Sequence, residues 1–145
     1  MPPASLAVSE LLMFWLVARD GNRTPIEAVD MWEAMREALR FDQDLLIEGD
    51  ADRVLGRSEL LEALQLGRPG LFDSYTPDWT PPTTDEFREL LRLARLTGSQ
   101  AGLLTGVGHG KIRRWAGGDN SPPYAVWRLL VIYARQAPPD QINIK

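Results

Sequence analysis

The stretch from Gly67 to Thr83 constrains this chain more than any other. It holds Pro69, Gly70, Pro77, Pro81 and Pro82, and proline-rich connections are extended and semi-rigid. It is therefore the natural boundary between two regions. Phe72, Tyr75 and Trp79 are interleaved with the prolines, so the segment is expected to pack against a domain rather than float free. At 145 residues, the chain has the length of one ordinary domain, or of one domain with a small appendage. The expected organisation is a helical region over 1–70, a Pro-rich connection over 71–83, a helical domain over 84–137 and a tail over 138–145.

Charge divides at the same place. The formal net charge is −4, which taken alone argues against nucleic acid. Residues 1–83, however, carry 7 basic and 15 acidic side chains, and residues 84–145 carry 9 basic and 5 acidic ones. A region of net −8 is thus joined to one of net +4, and the two are read separately.

Residue counts remove much chemistry. There is no cysteine, hence no disulfide, thiol nucleophile, Cys-ligated zinc or iron–sulfur cluster. The single histidine, His109, cannot form a two-histidine metal site, and no partners for it as a general base are evident. Neither a Walker-type loop nor a G-x-G-x-x-G pattern is present. Asp42, Asp44, Glu48, Asp50 and Asp52 alternate in a way that invites a calcium loop. The glycine and glutamate required at its sixth and twelfth positions are replaced by Ile47 and Arg53, or by Leu55 and Leu61 in the other register. A solvated acidic loop is the simpler reading. The chain is expected to be no enzyme and to use no metal or cofactor. The apolar run Leu11 to Ala18 is too short for a membrane span, and the basic start of a secretory signal is missing. A cytoplasmic protein is expected.

Apolar spacing and start signals predict an all-α fold. Ser5 to Arg19 reads as a first helix. Thr24-Pro25-Ile26-Glu27 reads as the start of a second, with Thr24 as cap, Pro25 at the first helical position and Glu27 closing a capping box. Val29, Trp32, Met35 (or Arg36) and Leu39 would form its buried stripe. Ser58 to Gln65 reads as a short third helix. Beyond the prolines, Thr83 and Glu86 form another capping box. Phe87, Leu90, Leu91 and Ala94 give the stripe of the helix it opens, and Trp127, Leu130, Val131 and Ala134 that of the last helix. Trp115 and Trp127 are expected in the core. Arg128 is open between a solvated helix residue and a phosphate contact.

Leu96 to Trp115 carries the functional signal. Thr97 can cap a short helix. Gly102 lacks a Cβ, so a second helix can cross it closely, and Gly106 supplies the left-handed conformation that ends the first. Val107, Ile112 and Trp115 anchor the second helix in the core. The result reads as a helix-turn-helix, whose second helix enters the DNA major groove.

Residues 84–134 resemble the Cro/CI-type helix-turn-helix domain, also called the xenobiotic-response-element family. Leu96-Thr97, Gly106-Val107, Ile112, Arg114-Trp115, Gly118 and Pro122-Pro123 stand where that family has its Leu-Thr, Gly-Val, apolar, Arg-Trp, Gly and Pro positions. The run from Lys111 to Trp115 and on through Pro123 to Leu130 is most similar to small regulators of phages and mobile elements. Four positions depart from the pattern. Gly98 replaces the usual glutamine, Thr105 an apolar residue and Gly108 a hydroxyl cap, and Gly110 interrupts the recognition helix at a cost of about 1 kcal/mol relative to alanine.

The resemblance implies base-facing positions for His109, Gly110 and Arg114, and Arg114 can make a bidentate contact with guanine. Lys111 and Arg113 are placed to neutralise phosphates, with Ser99 and the backbone N–H groups around Gly98 meeting phosphate at a helix N-terminus. It further implies a regulator that binds double-stranded DNA as a homodimer, on the nucleoid, with residues 1–70 supplying dimerisation or a partner surface. The competing expectation is an accessory factor or inhibitor that binds a recombinase, polymerase or nuclease and touches DNA weakly.

Overall fold

The computed structural model describes residues 13–49 and 52–140, which fall into two compact units dividing between Leu64 and Gln65.

The first unit is built on a sheet. Its elements are β1 (Met13–Val17), β2 (Arg23–Ile26), α1 (Met31–Arg40), β3 (Asp44–Glu48), β4 (Arg53–Leu55) and α2 (Arg57–Ala63). The strands run in the order β2-β1-β3-β4, with every neighbouring pair antiparallel. Phe14 faces Ile26 on one side and Ile47 on the other, and Leu45 lies between Leu16 and Leu55. Phe14, Leu16, Leu45 and Leu55 are buried, as are Ala34, Met35, Ala38 and Leu39 of α1 and Leu60 of α2.

This sheet overturns the all-α expectation. The described residues hold six helices and a four-stranded sheet, so the fold is mixed α/β. The expected helix Ser5–Arg19 is a strand over Met13–Val17, and its earlier part lies outside the described residues. An unbroken apolar run has no visible period, so spacing alone cannot tell a helix from a strand with apolar residues on both faces. Thr24-Pro25-Ile26-Glu27 starts no helix. Thr24, Pro25 and Ile26 pair with Leu16, Trp15 and Phe14, and Pro25 is tolerated because β2 is an edge strand. The helix begins later, where the Asp30 carboxylate accepts from the Glu33 N–H at 2.8 Å. The predicted stripe shifts with it: Val29 is 93 % exposed and Trp32 is exposed, whereas the Ala34, Met35, Ala38, Leu39 side is buried. The expected acidic loop contains β3.

The second unit has α3 (Thr84–Ala94), α4 (Gly98–Thr105), α5 (His109–Ala116) and α6 (Tyr124–Tyr133). Phe87, Leu90 and Leu93 of α3, Ile112 and Trp115 of α5, and Trp127, Leu130 and Val131 of α6 are buried. The Phe87 ring meets Trp115 edge-on at 6.1 Å and lies 6.5 Å from Trp127.

The Pro-rich segment is laid against these helices. The Trp127 indole N–H donates to the Leu71 carbonyl at 2.9 Å, and Tyr75 and Trp79 meet Tyr124 edge-on. Arg128 is buried. It donates to the Phe72 carbonyl at 2.6 Å and to the Asp140 carboxylate at 2.7 and 3.1 Å. Its guanidinium is thus consumed in tying two chain segments to α6, which rules out both the solvated and the phosphate-binding roles that the sequence left open. Among the described residues, no helix is long and apolar enough to cross a membrane.

Candidate nucleic-acid interface

The candidate interface is built on α4, α5 and the turn between them, and it rests on α3. Thr83 caps α3 by accepting from the Glu86 N–H, and the Glu86 carboxylate accepts from the Thr83 N–H at 2.8 Å. Arg68 adds two donors to the same carboxylate, at 3.0 and 3.1 Å. Burial pushes the Glu86 carboxyl up, but the hydrogen bonds from Arg68 and Thr83 outweigh it and hold the group below its ordinary value. The helix closes on Arg95 in the left-handed conformation, φ 58°.

A second capping box opens α4: Thr97 Oγ1 accepts from the Gln100 N–H at 3.1 Å, and Gln100 Oε1 from the Thr97 N–H at 2.9 Å. The helix ends at Gly106, φ 74°, whose N–H reaches the Gly102 carbonyl at 2.9 Å. Thr105, which replaces an apolar residue, satisfies its hydroxyl on the Ala101 carbonyl at 2.7 Å. Gly102 sits under the start of α5. A Cβ there would lie 3.0 Å from the carbonyl carbon of Gly108 and from the His109 nitrogen, both backbone atoms. Gly108, φ 79°, starts α5 without a side-chain cap.

Two sides of α5 then differ. Ile112 and Trp115 are buried, and Val107 in the turn is half-buried; His109, Gly110, Lys111, Arg113 and Arg114 are exposed. Three cations and an imidazole thus share the open side of a helix whose other side is fixed in a core. Arg88 steadies the far end, donating from Nε to the Ala116 carbonyl at 2.6 Å, where a cation also meets the negative end of the helix. Ser99 is exposed at the first turn of α4, and Gly98 is half-buried.

Three features escaped the sequence reading. The His109 ring packs over Gly98: a Cβ on Gly98 would come within 3.1 Å of its Cδ2 and Nε2. The glycine that replaces the usual glutamine therefore makes room for the histidine that opens α5. Arg88 as a clamp on α5 carried no local signal, since its acceptor is a backbone carbonyl 28 residues on. Leu103 is 86 % exposed on α4, beside an open hollow lined by Ser99, Gly102, Gly106, Gly108 and His109. Among the described residues, no group of three or more His, Asp or Glu side chains is placed to hold a metal ion.

No protein-family model and no solved structure matches the chain. Two curated relatives do, both called transcriptional repressor protein KorC, from Escherichia coli. One is 49 % identical over 59 residues, which is 39 % of this chain and 69 % of the relative. The other is 47 % identical over 55 residues, 36 % of this chain and 65 % of the relative. The chain spans about two thirds of the length of each relative, while more than half of its own length lies outside the match. Over that matched part, the chain belongs to the family of the transcriptional repressor protein KorC.

Proposed function

We propose that the chain is a transcriptional regulator that binds double-stranded DNA through α4, its turn and α5, used as a Cro/CI-like helix-turn-helix. The observation that carries this reading is the two-sidedness of α5. Ile112 and Trp115 hold it in the core, and His109, Lys111, Arg113 and Arg114 stand exposed. The name of the two relatives, transcriptional repressor, agrees with it. In this reading α5 enters the major groove, Arg114 forks onto a guanine, and His109 and the bare backbone of Gly110 face neighbouring bases. Lys111 and Arg113 neutralise phosphates, and the N–H groups at Gly98 and Ser99 meet a phosphate at the open end of α4. Gly102, Gly106, Val107, Ile112 and Trp115 set the angle between the two helices. The protein works as a homodimer on a two-fold operator, with half-sites about one helical turn apart, and has no catalytic role. The acidic region before the prolines weakens unspecific binding by repelling the DNA backbone.

The test is a binding titration of the full chain against DNA from upstream of its own gene, with a scrambled duplex as competitor and salt varied. Tight, salt-steep and sequence-dependent binding is expected, and Arg114→Ala should lose about 1–3 kcal/mol of discrimination at one base pair. Equal affinity for both duplexes would overturn the reading.

A further inference from the structure

Three side chains of α4 are exposed: Ser99, Gln100 and Leu103. Gln100 is occupied at the cap, where its Oε1 accepts from the Thr97 N–H. Ser99 and Leu103 lie four residues apart and so share one face of the helix. The helix holds no ionisable side chain, although it stands in a region of net +4. A leucine left 86 % exposed means little by itself. Its surroundings give it a use.

Leu103 borders the open hollow lined by Ser99, Gly102, Gly106, Gly108 and His109. Gly106 and Gly108 have positive φ, 74° and 79°, and a Cβ on either would meet nothing within 4 Å. With glycine at both positions, that part of the rim carries no side chain. The wall is backbone and Leu103, with the Ser99 hydroxyl and the His109 ring as the polar side-chain groups beside it. We propose that this hollow seats a deoxyribose of the bound DNA strand, with Leu103 packed on the carbon face of the sugar. The inference rests on the DNA reading and adds a residue to it. In a helix-turn-helix the first helix crosses the backbone while the second reads base edges. Ser99 is assigned above to a phosphate and His109 to a base, and the group that links a phosphate to a base is the sugar. Deoxyribose lacks the 2′-hydroxyl of ribose, so it brings carbon to an apolar wall. α4 has no cation with which to hold the strand, and Leu103 supplies a contact that depends on burial instead of charge. A sugar contact carries no base information, so it adds affinity without altering preference.

The test titrates the full chain and Leu103→Ala against three duplexes with salt varied: the sequence upstream of its own gene, a scrambled one, and the upstream one with uracil in place of thymine. Leu103→Ala should bind the upstream duplex about fivefold more weakly. The salt slope should stay the same, since no charge is lost. The same loss is expected on the uracil duplex, which lacks the thymine methyl, the other apolar group that the DNA could offer. Leu103→Asn, similar in volume but polar, should lose at least as much. Urea unfolding is expected to be unchanged, because the side chain is exposed. Affinity equal to that of the unsubstituted chain, a changed salt slope, a loss that vanishes on the uracil duplex, or one matched by an equal loss of stability would overturn the proposal and leave the DNA reading standing. If the unsubstituted chain binds upstream and scrambled duplexes alike, the DNA reading fails and the proposal with it.

Discussion

Within each of the two units, a different kind of contact holds the chain in place. In the first, separate strands meet along backbone ladders: β1 pairs with β2 on one side and with β3 on the other, each over four or five residues. Its strong ion pairs are local, with Arg40 reaching Glu33 and Glu37 within α1. In the second unit the irregular chain is attached through single side chains. Trp127 and Arg128 hold Leu71 and Phe72, 56 residues away, and Arg68 holds Glu86, 18 residues away. A ladder spreads its strength over many bonds, so no one residue decides it. A side-chain clamp concentrates the same task, and one substitution can release it.

Arg128→Ala is the largest expected break. It removes the donors for Phe72 and Asp140 and a side chain that is itself buried. A loss of about 3 kcal/mol is expected, from the Phe72 carbonyl left without its charged donor together with the lost packing of the Arg128 stem. Urea unfolding of the full chain measures it, and amide exchange should show residues 71–74 losing protection while β1 and β3 keep theirs. A loss under about 1 kcal/mol would mean that the clamp is not what attaches the segment.

Gly102→Val comes next. Its Cβ would meet two backbone atoms of Gly108 and His109 at 3.0 Å, which cannot rotate away, so α5 must move. About 2–3 kcal/mol of destabilisation is expected from overpacking. In the proposed reading DNA affinity falls as well, because the angle between α4 and α5 is what that glycine sets. Stability and affinity both at the unsubstituted level would show that α5 has room to shift.

Acid sharpens the comparison differently. Burial raises the Glu33 carboxyl in the first unit, but Arg40 and Arg36 more than offset it. Glu86 in the second is likewise held down by Arg68 and Thr83. Both groups bind their proton less readily folded than unfolded. Their contribution is complete above the unfolded value near 4.5 and is lost as pH falls through the lower folded values. Both units should therefore weaken together below about pH 4.5. Arg68→Ala should flatten the acid slope in the second unit alone, measured by amide exchange at stepped pH. An unchanged slope there would place the acid sensitivity on other carboxylates.

The same contrast explains what could be read from the sequence. In the second unit the signals are local: Thr83 with Glu86 and Thr97 with Gln100 lie three residues apart and close their caps in the structure. Thr24 and Glu27 have the same spacing, yet that stretch pairs with β1. A capping box stops one orphan pair of N–H groups, whereas a strand position beside Phe14 and Leu16 satisfies a whole ladder, and the ladder prevails. Nothing within four residues of Thr24 announces that partner. The site was legible to the extent that glycines and exposed cations are local facts. The packing of His109 on Gly98 and the reach of Arg88 to Ala116 were not, because each depends on how two helices cross.

The smallest expected effect sets one glycine against another. Gly110 lies inside α5 with nothing within 4 Å of where its Cβ would be, in a helix that also starts without a side-chain cap. Gly102 is required by a close approach, whereas Gly110 has no such reason within the chain. Gly110→Ala should therefore stabilise the second unit by up to about 1 kcal/mol, the conformational cost of a helical glycine. If the bare backbone faces a base, as proposed, the added methyl should at the same time weaken DNA binding, so stability and affinity move in opposite directions. Urea unfolding and a DNA titration of one variant read both. A gain in stability with no change in affinity would remove Gly110 from the base-facing set. No gain in stability would mean that α5 is not limited by its glycine, and that the missing cap at Gly108 is the weaker point.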